Sequence, residues 1–158
     1  MNVFVLLGKK LGIYLLAVCT TYVLASAAAT QHVAGRLGSM GIEIGLGQRL
    51  AMTLGDLAGM AGMFLPIIAF GLLIAFLFTA LLCRWFSRWQ VPLYVLAGAT
   101  ALICIHVALN QVLGLTPVAA ARTGMGLLFQ GLAGAVGGLL YIRLNQHFFQ
   151  KSLFDIPE

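Results

Sequence analysis

The chain has 158 residues, of which 61% are hydrophobic and only 8% are charged, with nine lysine and arginine residues against four acidic residues. A soluble domain is about 45–50% apolar and about 25% charged. Because so few charged groups cannot cover a water-soluble fold, the composition excludes a soluble enzyme, a disordered tail and a nucleic-acid-binding module. It predicts an integral membrane protein that has the lipid bilayer as a partner.

Four uncharged stretches lie between the charged residues, and each is long enough for one membrane-spanning helix. A helix crosses a hydrocarbon core of about 30 Å with roughly 20 apolar residues. The stretches lack the alternating pattern of barrel strands. We therefore predict an all-α four-helix bundle that forms one membrane domain over residues 1–158, with spans near residues 11–30, 57–83, 92–114 and 123–142.

The first span also carries a pattern that is found in secretory signal peptides. Lys9 and Lys10 precede an apolar stretch, and Ala25-Ser26-Ala27 imitates a cleavage site of small residues. However, the stretch is long for a signal peptide, and another apolar segment at residues 3–7 precedes the lysines. We therefore favour an uncleaved anchor, while cleavage would leave three spans.

The basic residues predict how the spans are oriented. The N-terminus, the loop at residues 84–91 and the C-terminal tail would share one side of the membrane. The six bases there are Lys9, Lys10, Arg84, Arg88, Arg143 and Lys151, against three on the other side, which are Arg36, Arg49 and Arg122. Because basic residues accumulate on the cytoplasmic side, we predict that both termini are cytoplasmic and that the protein lies in the cell membrane, of the bacterial inner-membrane type.

Residues 31–56 are the only sizeable segment predicted to lie outside the membrane on the outer side. The segment contains six glycines, yet Leu46, Leu50 and Leu54 recur at helical spacing. We predict a glycine-rich outer loop with a short interfacial helix. Thr53 and Asp56 have the spacing of a capping box at the start of the second span, although Asp56 could instead be an acid at the mouth of a cavity. The tail at residues 145–158 is predicted to lie along the inner interface.

Small residues recur along the second and fourth spans at the spacing of one helix face. Such residues let two helices approach closely in lipid, where no hydrophobic effect drives the association. Both faces therefore predict tight helix contacts, either within the bundle or with another chain. The glycines concerned are Gly55, Gly59, Gly124, Gly131, Gly134 and Gly138.

Pro66 lies inside the second predicted span, four residues after Gly62. Proline has no backbone N–H group, so it cannot donate to the Gly62 carbonyl, and it disturbs the preceding turn. Prolines of this kind are a common cause of sharp kinks in helices. Gly62 and Pro66 therefore predict a kink that could act as a hinge.

Five uncharged polar residues lie within the spans, and polar residues in a membrane are candidates for function. They are Tyr22 and Ser26 in the first span, His106 and Asn110 in the third, and Gln130 in the fourth. With the predicted topology, Tyr22, His106 and Gln130 share a depth of roughly 10–12 Å below the outer boundary. They predict either hydrogen bonds between helices or a small pocket that faces the outer side.

The three cysteines and three histidines do not form a site that could be recognised from spacing. No pair has the spacing of metal ligands, and the isolated cysteines do not fit a disulfide framework. A haem could use two imidazoles, but His32 and His147 lie outside the spans and on opposite sides. We therefore predict no cofactor and no metal.

Three classes of function remain open from the sequence. The absence of catalytic motifs and membrane charges favours a structural or accessory protein, a homo-oligomer or a subunit of a larger membrane complex, rather than an enzyme. The alternative is a transporter or channel for a small solute that uses the polar pocket. A membrane enzyme that acts on a lipid or a quinone is the third class. Nucleic acid is not an expected partner.

Overall fold

The computed structural model describes residues 3–113 and 123–154. They form four helices, α1 (Val3–Ser39), α2 (Leu46–Leu82), α3 (Gln90–Leu113) and α4 (Gly124–Phe154), with a short 3-10 turn at Ser87–Trp89. No strand occurs in these two ranges. The prediction of an all-α chain with four helices is confirmed, and all four are long and apolar enough to cross a membrane.

The helices differ in length more than the predicted spans do. At 1.5 Å per residue, the 24 residues of α3 extend about 36 Å, close to the hydrocarbon core of about 30 Å. The 37 residues of α1 and of α2 each extend about 55 Å. These two helices are therefore long enough to continue well beyond a bilayer.

The four helices pack as a closed ring. Each helix contacts the next one along the chain, and α4 also contacts α1. The shared core contains apolar side chains from every helix, among them Val18, Leu72, Leu102 and Ala133. Many large apolar side chains remain exposed around the outside, and an apolar exterior of this kind suits a surface that faces lipid.

The segment predicted as a glycine-rich outer loop is mostly helical, because only residues 40–45 connect α1 to α2. The Ile42 N–H donates to the Leu37 carbonyl and the Gly41 N–H donates to the Gly38 carbonyl, which is the bonding pattern of a Schellman motif. Gly41 has φ 83°, a conformation that favours glycine. We call the end of the bundle that carries this connection the turn end.

The prediction of a separate interfacial helix is wrong, because Leu46, Leu50 and Leu54 belong to the first turns of α2. The predicted capping box is also wrong. The helix begins one residue after Gly45, whose N–H donates to the side-chain oxygen of Gln48 at 3.1 Å.

α4 continues as one helix to Phe154, so residues 145–154 of the predicted tail belong to the fourth helix, and their place along the inner interface stays a prediction. Residues 155–158 of the predicted tail lie outside the described residues. α2 likewise continues through Pro66 to Leu82 as one helix, and the predicted hinge stays a prediction.

Candidate functional site

The fully buried side chain of Gln130 joins α4 to α1 inside the bundle. Its amide nitrogen donates to the Ala25 carbonyl at 2.9 Å, and Gln130 has 0% exposure. The amide oxygen is also buried, but it has no hydrogen-bond partner. One half of the amide therefore links two helices, while the other half is an unpaired acceptor.

His106 occupies a similar position on α3, where it is 4% exposed. Its Nδ1 lies 2.8 Å from the Leu102 carbonyl oxygen. Because a carbonyl can only accept, Nδ1 carries the hydrogen and donates, which leaves Nε2 of the neutral ring as an acceptor. Nε2 is buried and has no partner.

A chain of ring contacts connects His106 with α1. The His106 ring packs edge-on against Phe64 of α2 with centroids 5.5 Å apart, and Phe64 packs against Tyr22 at 6.4 Å. The Tyr22 hydroxyl donates to the Leu57 carbonyl. Tyr22 therefore ties α1 to α2 through its hydroxyl, and its ring packs on the same phenylalanine, Phe64, as the His106 imidazole does.

Three polar residues follow one another along the buried face of α1 at intervals of four residues. They are Tyr22, Ser26 and Thr30, which are 5%, 1% and 2% exposed. The Ser26 hydroxyl has no partner, whereas the Thr30 hydroxyl lies 3.0 Å from the Ser26 carbonyl and 2.6 Å from an Asp56 carboxylate oxygen. Asp56 is half-buried on α2 near the turn end. This face, which we call the polar column, therefore leads from the core towards a carboxylate at the turn end.

The structure brings four of the five predicted pocket residues into the interior, namely Tyr22, Ser26, His106 and Gln130. Asn110 is exposed. It was predicted to share a helix face with His106, but only His106 lies in the core. Sequence reasoning also missed Phe64, the apolar ring on which the imidazole packs.

His32, one of the two histidines outside the core, has a partner near the start of α4. His32 Nε2 lies 2.9 Å from the Thr123 hydroxyl, which also accepts from the Gly126 N–H at 3.1 Å at the start of α4. Within the described ranges, no group of three or more His, Cys, Asp or Glu side chains could hold a metal ion.

The glycines of α4 lie directly against α3. A Cβ atom added to Gly134 would lie 2.1 Å from the Gly98 oxygen, and one added to Gly138 would lie 2.1 Å from the Tyr94 oxygen. A Cβ atom at Gly131 would lie 3.1 Å from the end of the Ile103 side chain. The two backbones are therefore in contact within this chain. Gly98, the counterpart on α3, is the only glycine of that helix, and the sequence analysis missed it.

The other predicted packing glycines lie at open surface. A Cβ atom at Gly55, Gly59, Gly62 or Gly124 would meet nothing within 4 Å. Three of them lie on one face of α2 together with Ala51, and all four of these residues are exposed. We call this surface, formed by Ala51, Gly55, Gly59 and Gly62, the α2 glycine face. No described helix of the chain covers it.

A cleft of about 470 Å³ opens between α1 and α4 near the turn end. The lining includes one guanidinium and one imidazole. The lining residues are Ala28, Gln31, His32, Gly35, Arg36, Ser39 and Phe129. None of the predicted pocket residues lines this cleft, so it is separate from the buried polar residues.

Comparisons of the chain with protein-family models, with curated proteins and with solved structures find no match. A helical bundle does not by itself indicate a function, because one fold can carry many functions. A function must therefore be inferred from the contacts and burial of the chain's own residues.

Proposed function

We propose that this protein is a structural subunit of a membrane assembly and that it binds a second copy of itself, or a larger membrane protein, through the α2 glycine face. The termini would lie in the cytoplasm and the turn end on the outer side of a bacterial inner membrane. Six bases against three support this orientation, because basic residues accumulate on the cytoplasmic side.

The open α2 glycine face is the observation that carries the proposal. Gly134 and Gly138 bring the α4 backbone against α3 within the chain, whereas the three glycines of the α2 glycine face have nothing within 4 Å of an added Cβ atom. α2 is also the least covered span, with 22% of its most apolar window buried against 39% to 44% for the other three helices. Because small residues favour close helix packing in lipid, this face can receive a helix from outside the chain.

The enclosure of the polar residues supports a structural role over an open substrate pocket. Ser26, His106 and Gln130 are 1%, 4% and 0% exposed. Two of the hydrogen bonds in this region, Gln130 to Ala25 and Tyr22 to Leu57, join different helices. Gln130 therefore ties α4 to α1, and Tyr22 ties α1 to α2, which keeps α2 in place for association.

The experiment compares Gly59→Leu with Gly12→Leu, a matched control on α1. Both glycines are exposed, and neither has a neighbour within 4 Å of an added Cβ atom. Since leucine also has the higher helix propensity at both sites, neither variant should unfold the bundle. We expect Gly59→Leu to shift the protein from its assembled state to the monomer in a mild detergent, while Gly12→Leu keeps the assembled state. Equal behaviour of both variants and the wild type would contradict the proposal.

Passage of a small polar solute is a second candidate function, because the polar column reaches Asp56 through the 2.6 Å contact with Thr30. When glycerol is added outside, vesicles shrink as water leaves and regain their volume as glycerol enters. Vesicles that contain the protein should regain their volume faster than empty vesicles. His106→Ala should change this recovery rate if the core lies on the path. Recovery at the rate of empty vesicles would contradict glycerol passage.

A further inference from the structure

Three polar atoms in the bundle core have no hydrogen-bond partner among the described residues. They are Ser26 Oγ, His106 Nε2 and Gln130 Oε1, and each belongs to a residue that is at least nine-tenths buried. Buried polar atoms in proteins nearly always bond to the protein or to ordered water. The need is greater in a bilayer, because its hydrocarbon core offers no alternative partner. These atoms therefore point to a ligand of the bundle.

The chemistry of the three atoms specifies what the ligand must offer. His106 Nε2 can only accept, because Nδ1 already carries the ring hydrogen that bonds to Leu102. Gln130 Oε1 is a carbonyl oxygen and also only accepts. The Ser26 hydroxyl has one hydrogen and can supply only one of these two acceptors. At least one hydrogen-bond donor from outside the chain is therefore required.

Chains of contacts link the three residues that carry these atoms within one region of the bundle core. Gln130 bonds to the carbonyl of Ala25, the residue directly before Ser26. The His106 ring packs on Phe64, and Phe64 packs on Tyr22, one helical turn from Ser26. Side chains of all four helices therefore enclose this region.

The region also has a polar connection to the turn end. Thr30 follows Ser26 by one turn on the same face of α1, and its hydroxyl lies 2.6 Å from the Asp56 carboxylate. Asp56 is half-buried and so lies partly at the surface. The polar column therefore supplies hydrogen-bonding groups between the surface and the three unpaired atoms.

We propose that the core binds internal water, with a water molecule that donates to His106 Nε2 and Gln130 Oε1 and bonds to the Ser26 hydroxyl. Three partners match the typical coordination of buried water. The near-complete enclosure of the atoms favours water over a larger hydroxylated solute, which would offer the same donor chemistry. Thr30 and Asp56 form the entrance through which this water exchanges.

Solid-state nuclear magnetic resonance on the histidine-labelled, full-length protein in lipid bilayers tests the proposal. Magnetisation transferred from water should reach the His106 ring, identified by its loss in His106→Phe, and Nε2 should be unprotonated at neutral pH. Absence of water transfer to His106, while exposed His147 receives it, would overturn the proposal. In glycerol-containing samples, transfer from glycerol in place of water would show that the site takes the solute and would also overturn it.

Two variants and a control test the assigned partners. Gln130→Leu, or Gln130→Met if the first variant does not fold, should abolish or strongly reduce water transfer to His106. Asn110→Leu, an exposed position on the same helix as His106, should leave it unchanged. Thr30→Val should slow the exchange of this water. Wild-type transfer in the Gln130 variants would refute the bridging water, and unchanged exchange in Thr30→Val would refute the entrance.

Discussion

Gly134→Ala tests the contact between α3 and α4 with the smallest change that the site allows. The added Cβ atom would lie 2.1 Å from the Gly98 oxygen, although ordinary van der Waals contact begins at 3.4 Å. The obstacle is a backbone carbonyl, which cannot rotate away as a side chain would. The two helices must therefore move apart by about 1 Å, a gap that forfeits a quarter to a half of each close dispersion contact.

The expected loss of stability follows from two opposing effects. Overpacking of a tight core costs about 1–3 kcal/mol, and the upper end applies here because Gly138 also lies directly against the α3 backbone. Alanine regains about 1 kcal/mol of helix propensity relative to glycine. The net expectation is a loss of about 2 kcal/mol in the free energy of unfolding, by the difference between these two terms.

Gly124→Ala is the matched control for this prediction. Gly124 lies at the same seven-residue interval from Gly131 as Gly138 does, but an added Cβ atom there meets nothing within 4 Å. Both variants are unfolded by titration with a denaturing detergent, and circular dichroism monitors the loss of helix. The free energy of unfolding should fall for Gly134→Ala and stay at the wild-type value for Gly124→Ala. Equal stability of the two variants would refute the close contact.

Three further predictions concern the turn end. Ser39→Cys should react with a membrane-impermeant thiol reagent in intact cells, and labelling only after lysis would contradict the assigned orientation. Thr30→Val should lower the free energy of unfolding by about 1–3 kcal/mol, because it leaves the half-buried Asp56 without its hydroxyl donor; a melting curve equal to that of the wild type would contradict the role of this bond. Gly41→Ala should destabilise the connection by about 1 kcal/mol, because alanine is strained at positive φ, and faster hydrogen exchange at residues 40–45 would report it. Unchanged exchange there would contradict this strain.

The number and place of the helices could be predicted because apolar run length depends on the local sequence alone. The extension of α1 and α2 through residues 31–39 and 46–56 could not, because hydropathy reports burial in lipid and not helix formation. Two hydrogen bonds join α1 to α2 where these extensions begin. The Thr30 hydroxyl bonds to the Asp56 carboxylate, and the Gln31 amide donates to the Thr53 hydroxyl. Such pairs between distant residues have no signature in either segment alone.

The partners of the glycines depend on the register between helices, which is also a non-local property. Gly134 and Gly55 have equivalent sequence patterns, yet the first lies against Gly98 and the second lies at open surface. The polar character of Tyr22, His106 and Gln130 was more informative, because these side chains lie in the interior, away from a surface that would face lipid. Asn110 has the same character but is exposed, because the side of the bundle that a residue faces depends on how the helices pack.

Photo-crosslinking in intact membranes is the most direct test of association through the α2 glycine face. A photoreactive phenylalanine derivative would replace Met63, which is 58% exposed beside Gly62 on α2. The same group at Leu128, 54% exposed on α4, is the control. Association through α2 predicts an adduct from position 63, with the mass of two copies if the protein binds itself, and no adduct from position 128. An adduct only from position 128, or from neither position, would contradict it.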